Sequence, residues 1–336
     1  MTDAGSRSHG GAGLDYLARR HPHAPRPWID LSTGINPFPY PCDGLAPADW
    51  TALPSPAAEA ACRAALAACL GAVPDHVLLL PGSQAAISLL PSRLPRGTVH
   101  VAEPTYNEHA ASWRLAGHAV SPITATEAEA STADVLVLTN PNNPDGAVVA
   151  RERVLAIARE RTAAGRWLVV DEAFADLVPA LSVADACEGL NLVVLRSFGK
   201  FFGLAGLRLG AAVAPPGLRD GLASAIGPWA VSGPALAIGA RAYADIGWQR
   251  RTRAVLAAEM ARLRAELAPA MTILGGTDLF VMGACDGAAS LFEHLARGGV
   301  HVRRFRRNPR WLRFGLPPDV DAAARLRALL ASWTGP

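Results

Sequence analysis

The chain has 336 residues, 50% of them apolar and 18% charged, with a formal net charge of +3. That apolar fraction excludes a disordered chain and the small net charge argues against a dedicated nucleic-acid binder. The length points to about two domains, or one large α/β unit with a smaller piece attached. Among the 32 Lys and Arg residues a single one, Lys200, is lysine; nucleotide bias explains such a skew without function, yet it raises the interest of the one position where arginine was not used.

Residues 1–54 are rich in Gly, Pro and His and carry the turn-forming run Ser32-Thr33-Gly34-Ile35-Asn36-Pro37, so they read as a lead-in arm with little regular structure. The first residues hold no apolar signal-peptide core, and no apolar run reaches the ~18 residues of a membrane span. A cytoplasmic protein without a membrane partner is the expectation. Cys42, Cys62, Cys69, Cys187 and Cys285 form no C-x-x-C pair and are read as buried small residues of a reducing compartment.

Ser55-Pro56 followed by Glu59 predicts a helix start, with a capping hydroxyl, a first-turn proline and an acid near the positive helix end. Short apolar runs at 76–80, 98–102, 135–139, 167–170, 192–195 and 207–214 are expected strands, and stretches near 83–93, 105–117 and 151–164 have helical spacing. That alternation predicts an α/β fold, a mostly parallel sheet flanked by helices. From about Ala235 a long helix, strands near 279–282, 300–305 and 311–316, and helices near 288–297 and at the end predict a smaller α+β domain. The expected division is an arm (1–54) contributing to the small domain and the active site, a large domain (55–232) and a small domain (233–336).

Ligands of open parallel sheets sit beyond the carboxyl ends of the strands. There the sequence places Gly82-Ser83-Gln84 before a helix, which is either an anion-binding helix start or an ordinary turn. Tyr106 follows the next strand as a stacking platform or as packing, and Asn143 is held between prolines in Asn140-Pro-Asn-Asn-Pro-Asp-Gly146. Asp171 leaves an apolar run, where a carboxylate is costly to bury unless it is ion-paired or faces a cationic ligand atom. Then comes Ser197-Phe-Gly-Lys200-Phe-Phe, with Arg208 in the next expected strand. Phe198, Phe201, Phe202 and Arg208 would lower the amine's pKa, and only lysine can shed a proton to react. A buried structural lysine remains the alternative.

Taken together, Gly82-Ser83-Gln84, Tyr106, Asn143-Pro-Asp-Gly146, Asp171, Ser197, Lys200 and Arg208 resemble the motif set of the pyridoxal-phosphate enzymes of the aspartate-aminotransferase fold (fold type I, class I/II aminotransferases) over roughly residues 28–330. His9-Gly10-Gly11, Asp30-Leu-Ser32-Thr33-Gly34-Ile-Asn36-Pro37, and the C-terminal Val302-Arg303-Arg304-Phe305 and Trp311-Leu-Arg313-Phe-Gly315 look like the threonine-phosphate decarboxylases of cobalamin biosynthesis, relatives of histidinol-phosphate aminotransferases. The resemblance implies a pyridoxal 5′-phosphate lyase, usually a homodimer, that decarboxylates L-threonine O-3-phosphate. Lys200 would carry the cofactor, Asp171 face its ring nitrogen and Tyr106 stack on it, with Gly82, Ser83, Gln84, Ser197 and Arg208 holding its phosphate. Substrate contacts would come from His9, Gly10, Ser32, Thr33, Gly34, Asn36, Asn143, Arg303, Arg304 and Arg313; bidentate arginines suit carboxylate and phosphate. Arg306, Arg307 and Arg310 are expected at the surface.

Two positions depart from the pattern. Phe174 stands where many aminotransferases have Tyr in D-E-A-Y, leaving Asn143 as the one identifiable donor to the cofactor O3′. The phosphate loop also lacks a longer Gly-x-Gly form, so Ser197 and Arg208 would carry more of the anchoring. An aminotransferase of the histidinol-phosphate type is the nearest alternative, and a non-catalytic binding protein on the same fold is a distant one. No metal site is expected, since His21 and His23 have no carboxylate or cysteine at ligand spacing and read as exposed.

Overall fold

The structure, a computed structural model, describes residues 12–335; the expected substrate residues His9 and Gly10 lie outside them. Two compact units emerge: Pro39–Thr252 forms one, and the described residues up to Phe38 join those from Arg253 onward in the other.

The arm is more regular than its composition suggests, with helices α1 (Ala12–Arg20) and α2 (Pro47–Thr51) and a short strand β1 (Ile29–Asp30). Helix α3 (Pro56–Leu70) starts where its capping residue predicts. Ser55 Oγ accepts the Ala58 N–H at 3.1 Å, and Gly71 closes the helix in left-handed backbone, φ +67°.

The following chain alternates as expected: β2 (Val77–Leu80), α4 (Ser83–Leu89), β3 (Thr98–Ala102), α5 (Asn107–Leu115), β4 (Ala119–Ile123), β5 (Val135–Thr139), α6 (Arg151–Ala163) and β6 (Trp167–Asp171). After these come β7 (Leu192–Ser197), α7 (Phe198–Phe201), β8 (Gly210–Val213), α8 (Pro216–Ile226) and α9 (Gly233–Ala244). The strands form one seven-stranded sheet in the order β2-β8-β7-β6-β5-β3-β4. Only β8 runs antiparallel to its neighbours. All five residues of β5 are buried, as a central parallel strand requires.

Two strands of this sheet differ from expectation, and outside it β1 and the strand Thr272–Thr277 are unexpected. Ala119-Val-Ser-Pro-Ile carries no apolar run, yet it forms β4 because it is an edge strand bonded to β3 alone, where Pro122 costs little. β8 starts at Gly210 instead of Leu207, because Ala205–Leu207 make a 3-10 turn and Arg208 takes left-handed backbone, φ 55°. Arg208 therefore precedes the strand.

The second unit contains β9 (Thr272–Thr277), β10 (Phe280–Ala284), α11 (Ala288–Arg297), β11 (Val300–His301), β12 (Arg303–Arg304), β13 (Trp311–Gly315) and α12 (Val320–Ser332), after the long α10 (Ile246–Leu267). Its antiparallel sheet runs β12-β13-β10-β9. β1 pairs in parallel with β11, and Leu31 O accepts the Gly315 N–H at 2.7 Å, so this stretch of the arm is bonded into the unit.

The cysteines are all free, but only Cys62 and Cys187 are buried; Cys42, in a proline-flanked stretch, is exposed. His21 is not exposed as expected, for its ring lies 3.4 Å from Glu293 with the side chain 13% accessible. Among the described residues no helix is long and apolar enough to cross a membrane.

Candidate active site

β6 delivers Asp171 as its last residue, 3% exposed. Its Oδ1 accepts the Ala173 N–H at 3.0 Å, and its Oδ2 lies 2.9 Å from Nε2 of His109, a buried residue of α5. Tyr106 packs edge-on against the same imidazole, centroids 6.1 Å apart. His109 thus braces both the carboxylate and the aromatic. Sequence reasoning weighed His9 as a substrate contact and His21 and His23 as metal ligands and missed His109; the spacing Tyr106-x-x-His109 at a helix start was the available signal, since i and i+3 share a face.

The anion cradle depends on two glycines. Gly82, φ +82°, precedes α4, and a Cβ there would lie 2.5 Å from Arg208 Nη2. A Cβ on Gly210 would lie 2.3 Å from Ser83 N. The first turn of α4, the Arg208 guanidinium and the start of β8 therefore converge in space that side chains would fill. First-turn N–H groups have no helical carbonyl to bond, and beside a guanidinium they suit a phosphate. Ser197, the half-buried last residue of β7, belongs to the same expected set. The Gln84 side chain bonds within the protein, its Oε1 accepting from Tyr106 Oη at 3.1 Å while its Nε2 donates to Ser88 Oγ at 3.2 Å. It thereby steadies the aromatic and leaves the Gln84 backbone N–H for an anion.

Lys200 lies in the single turn of α7 instead of a loop, and its Nζ sits over the Phe174 ring, 5.9 Å from the centroid. The neighbouring Phe198, Phe201 and Phe202 are fully buried and anchor that turn: Phe198 stacks on Phe202 at 4.4 Å and Phe202 on Trp248 at 5.7 Å. Beneath it Arg196 Nη1 donates to Glu172 Oε2 at 2.8 Å and Nη2 to Asp176. Burial pushes the Glu172 carboxyl up despite Arg196. Burial pulls the Arg196 guanidinium down, but Asp176 and Glu172 outweigh it and hold Arg196 above its ordinary range. Glu172 and Arg196 are thus a structural ion pair under the lysine turn. Asn143 is half-buried in the loop after β5, whose Asn140 N–H donates to Asp171 O at 2.9 Å.

In the other unit Arg303 and Arg313 face each other across β12 and β13. Arg313 is 8% exposed; burial, and secondarily Arg303, push its guanidinium down to about 9. Its Nη2 donates to Ser32 O at 2.8 Å and its guanidinium lies over Phe280. Ser32 is 2% exposed, and its backbone N–H donates to Asp30 Oδ1 at 2.9 Å. Asn36 is buried, its Oδ1 accepting the Phe38 N–H at 2.8 Å; Gly34 is buried and Thr33 half-buried. Like charges directly opposite on a sheet repel, so two arginines in register beside a buried hydroxyl suit an anion. Arg304 does not join them: strand alternation turns it to the other face, exposed and over the Phe292 ring at 4.9 Å. Arg306, Arg307 and Arg310 are exposed.

The family model for aminotransferase class I and II matches residues 27–330. The chain belongs to this family. Among curated aminotransferase-family relatives, it is 42% identical over 335 residues to the threonine-phosphate decarboxylase of Pseudomonas aeruginosa, covering 98% of each chain. A Sinorhizobium threonine-phosphate decarboxylase is likewise 42% identical, over 96% of this chain and 97% of its own. The solved histidinol-phosphate aminotransferase of Sinorhizobium meliloti, in complex with pyridoxal-5′-phosphate, superposes with TM-score 0.80 at 21% identity, covering 98% of this chain and all of the other (100%). That likeness establishes the fold-type I architecture, a mostly parallel sheet flanked by helices. The residues present fit the family's cofactor: a glycine-cleared cradle with Arg208 for a phosphate, Asp171 for a ring nitrogen, Tyr106 for a ring face and Lys200 for an aldehyde carbon.

Proposed function

We propose that the chain is a pyridoxal-phosphate-dependent lyase that converts L-threonine O-3-phosphate to aminopropanol O-phosphate and CO2 in cobalamin biosynthesis, acting as a cytoplasmic homodimer. The observation that carries this reading is the 42% identity, over 98% of both chains, to a threonine-phosphate decarboxylase. The buried Arg313 facing Arg303 supports it, because the substrate bears two anionic ends.

Pyridoxal phosphate supplies the electron sink for the pair left on Cα when the Cα–carboxylate bond breaks. Lys200 would hold the cofactor covalently at rest and, once its amine has been released by the incoming substrate amine, would return a proton to Cα as general acid. Asp171, oriented by His109, would hold the proton on the ring nitrogen, and Asn143 would donate to O3′. Gly82, Ser83, Gln84, Ser197 and Arg208 bind the cofactor phosphate. Arg313 and Arg303, with Ser32, Thr33, Gly34 and Asn36, bind the substrate's anionic ends and orient the carboxylate for departure. Arg304 has no part in this assignment because it points away from Arg313.

The histidinol-phosphate aminotransferase reading rests on weaker likeness, 32% identity over 78% of this chain against 42% over 98%. Turnover of O-phospho-L-threonine in D2O separates the outcomes. Decarboxylation gives an amine product with one solvent deuteron on the carbon that carried the carboxylate, whereas a product that retains the carboxylate overturns the reading.

A further inference from the structure

The loop after β3, which leads into Tyr106, is laced to the loop after β5, which carries Asn143, by side chains outside the expected site. Asn142 is the centre of the lacing. Its Nδ2 lies 2.8 Å from both Pro104 O and Asp145 Oδ1, which uses its two protons, and its Oδ1 lies 2.9 Å from Thr105 Oγ1. An amide oxygen only accepts, so the Thr105 hydroxyl is the donor to Asn142, and Thr105 Oγ1 also lies 2.8 Å from Thr139 Oγ1. The backbone of Asn142 closes the turn as well, its N–H donating to Ala147 O at 2.8 Å and its carbonyl accepting from Gly146 N–H at 2.9 Å. On the far side the same loop is bonded to β6 by Asn140 N–H to Asp171 O at 2.9 Å.

We infer that Thr105 and Asn142 are positioning residues, a clasp that sets Asn143 relative to Tyr106 and thereby fixes where the cofactor ring is held. The clasp has particular weight in this chain. Phe174 brings no phenolic hydroxyl to the pocket, so the ring's orientation depends more on Asn143 being held still. Thr105 adjoins Tyr106 and Asn142 adjoins Asn143, so the clasp acts through one peptide unit on each side. Loops are the mobile parts of an α/β enzyme, and side-chain bonds that cross between two of them limit their independent motion.

The inference rests on the pyridoxal-phosphate reading of this unit, and its test needs no substrate. Pyridoxal phosphate is titrated into the full chain, with tryptophan fluorescence giving the dissociation constant and visible circular dichroism reporting the ring's fixed asymmetric setting. Thr105→Val keeps the shape and removes the hydroxyl; it is expected to weaken cofactor binding roughly tenfold and to diminish the visible dichroism of the bound form. Thr105→Ser keeps the hydroxyl and is expected to restore both. Should Thr105→Val fold poorly, Asn142→Asp carries the comparison, since it turns two donors into acceptors facing Pro104 O and Asp145. Equal affinity and dichroism in wild type and the folded variants, or a Thr105→Ser protein as impaired as Thr105→Val, overturns the clasp. A wild-type chain that binds no pyridoxal phosphate overturns the underlying reading instead.

Discussion

Lys200 shows how much one residue can say when its chemistry admits no substitute. In a chain that otherwise uses arginine, the lone lysine follows β7 and sits over Phe174 in the turn of α7. Borohydride reduction of the holoenzyme followed by peptide mapping is therefore expected to place the cofactor on the Lys200 peptide alone among side chains; label on no side chain, or persisting in Lys200→Ala, contradicts the assignment. Asp171 was legible for a similar reason, because a carboxylate ending an apolar strand demands a partner. His109 was not. Its role exists only once α5 packs against β6, and nothing in a histidine's identity distinguishes a brace from a surface residue. Arg304 went the opposite way: the family resemblance and the basic run placed it with Arg303 and Arg313, and strand alternation turns it to the other face.

At the scale of elements, legibility followed burial. β5 and β6 are apolar up to their last residues, Thr139 and Asp171, because both faces are covered, and their runs predicted them within a residue. β4 had no such run, since an edge strand needs neither two covered faces nor both sets of backbone bonds, and across the 3-10 turn ahead of β8 Arg208 Nη1 donates to Ala205 O at 3.1 Å, a contact that sequence does not display. The β1–β11 join carries a pH-dependent element of its own. Burial pushes the Asp30 carboxyl up, but hydrogen bonds from His301 and from Ser32 outweigh it and hold Asp30 below the usual 3.8. A lowered carboxyl contributes stability that is full above its unfolded value and is lost as pH falls through the lower folded one. Asp30→Asn is thus expected to lower the thermal midpoint at neutral pH and to flatten its fall below pH 3.8; an acid limb as steep as that of wild type contradicts the assignment.

For the whole molecule, alternating strands and helices indicated the parallel sheet, and several motifs in register indicated the family; together they made most of the architecture legible. In the large sheet Gly82, Tyr106, Asn143, Asp171, Ser197 and Lys200 lie at or just after strand ends, where this sheet type places its ligands. The division into units depends on long-range contacts that local patterns do not encode, which is why residues 39–54 and 233–252 cluster with the sheet-bearing unit. Decarboxylation and transamination diverge at one bond to Cα and share nearly every cofactor residue, so the central claim is decided by chemistry in solution. Purified holoenzyme with O-phospho-L-threonine, assayed for CO2 with and without 2-oxoglutarate, is the direct measurement. The account predicts CO2 in step with substrate loss and unchanged by the oxo acid; turnover that requires 2-oxoglutarate and releases no CO2 contradicts it.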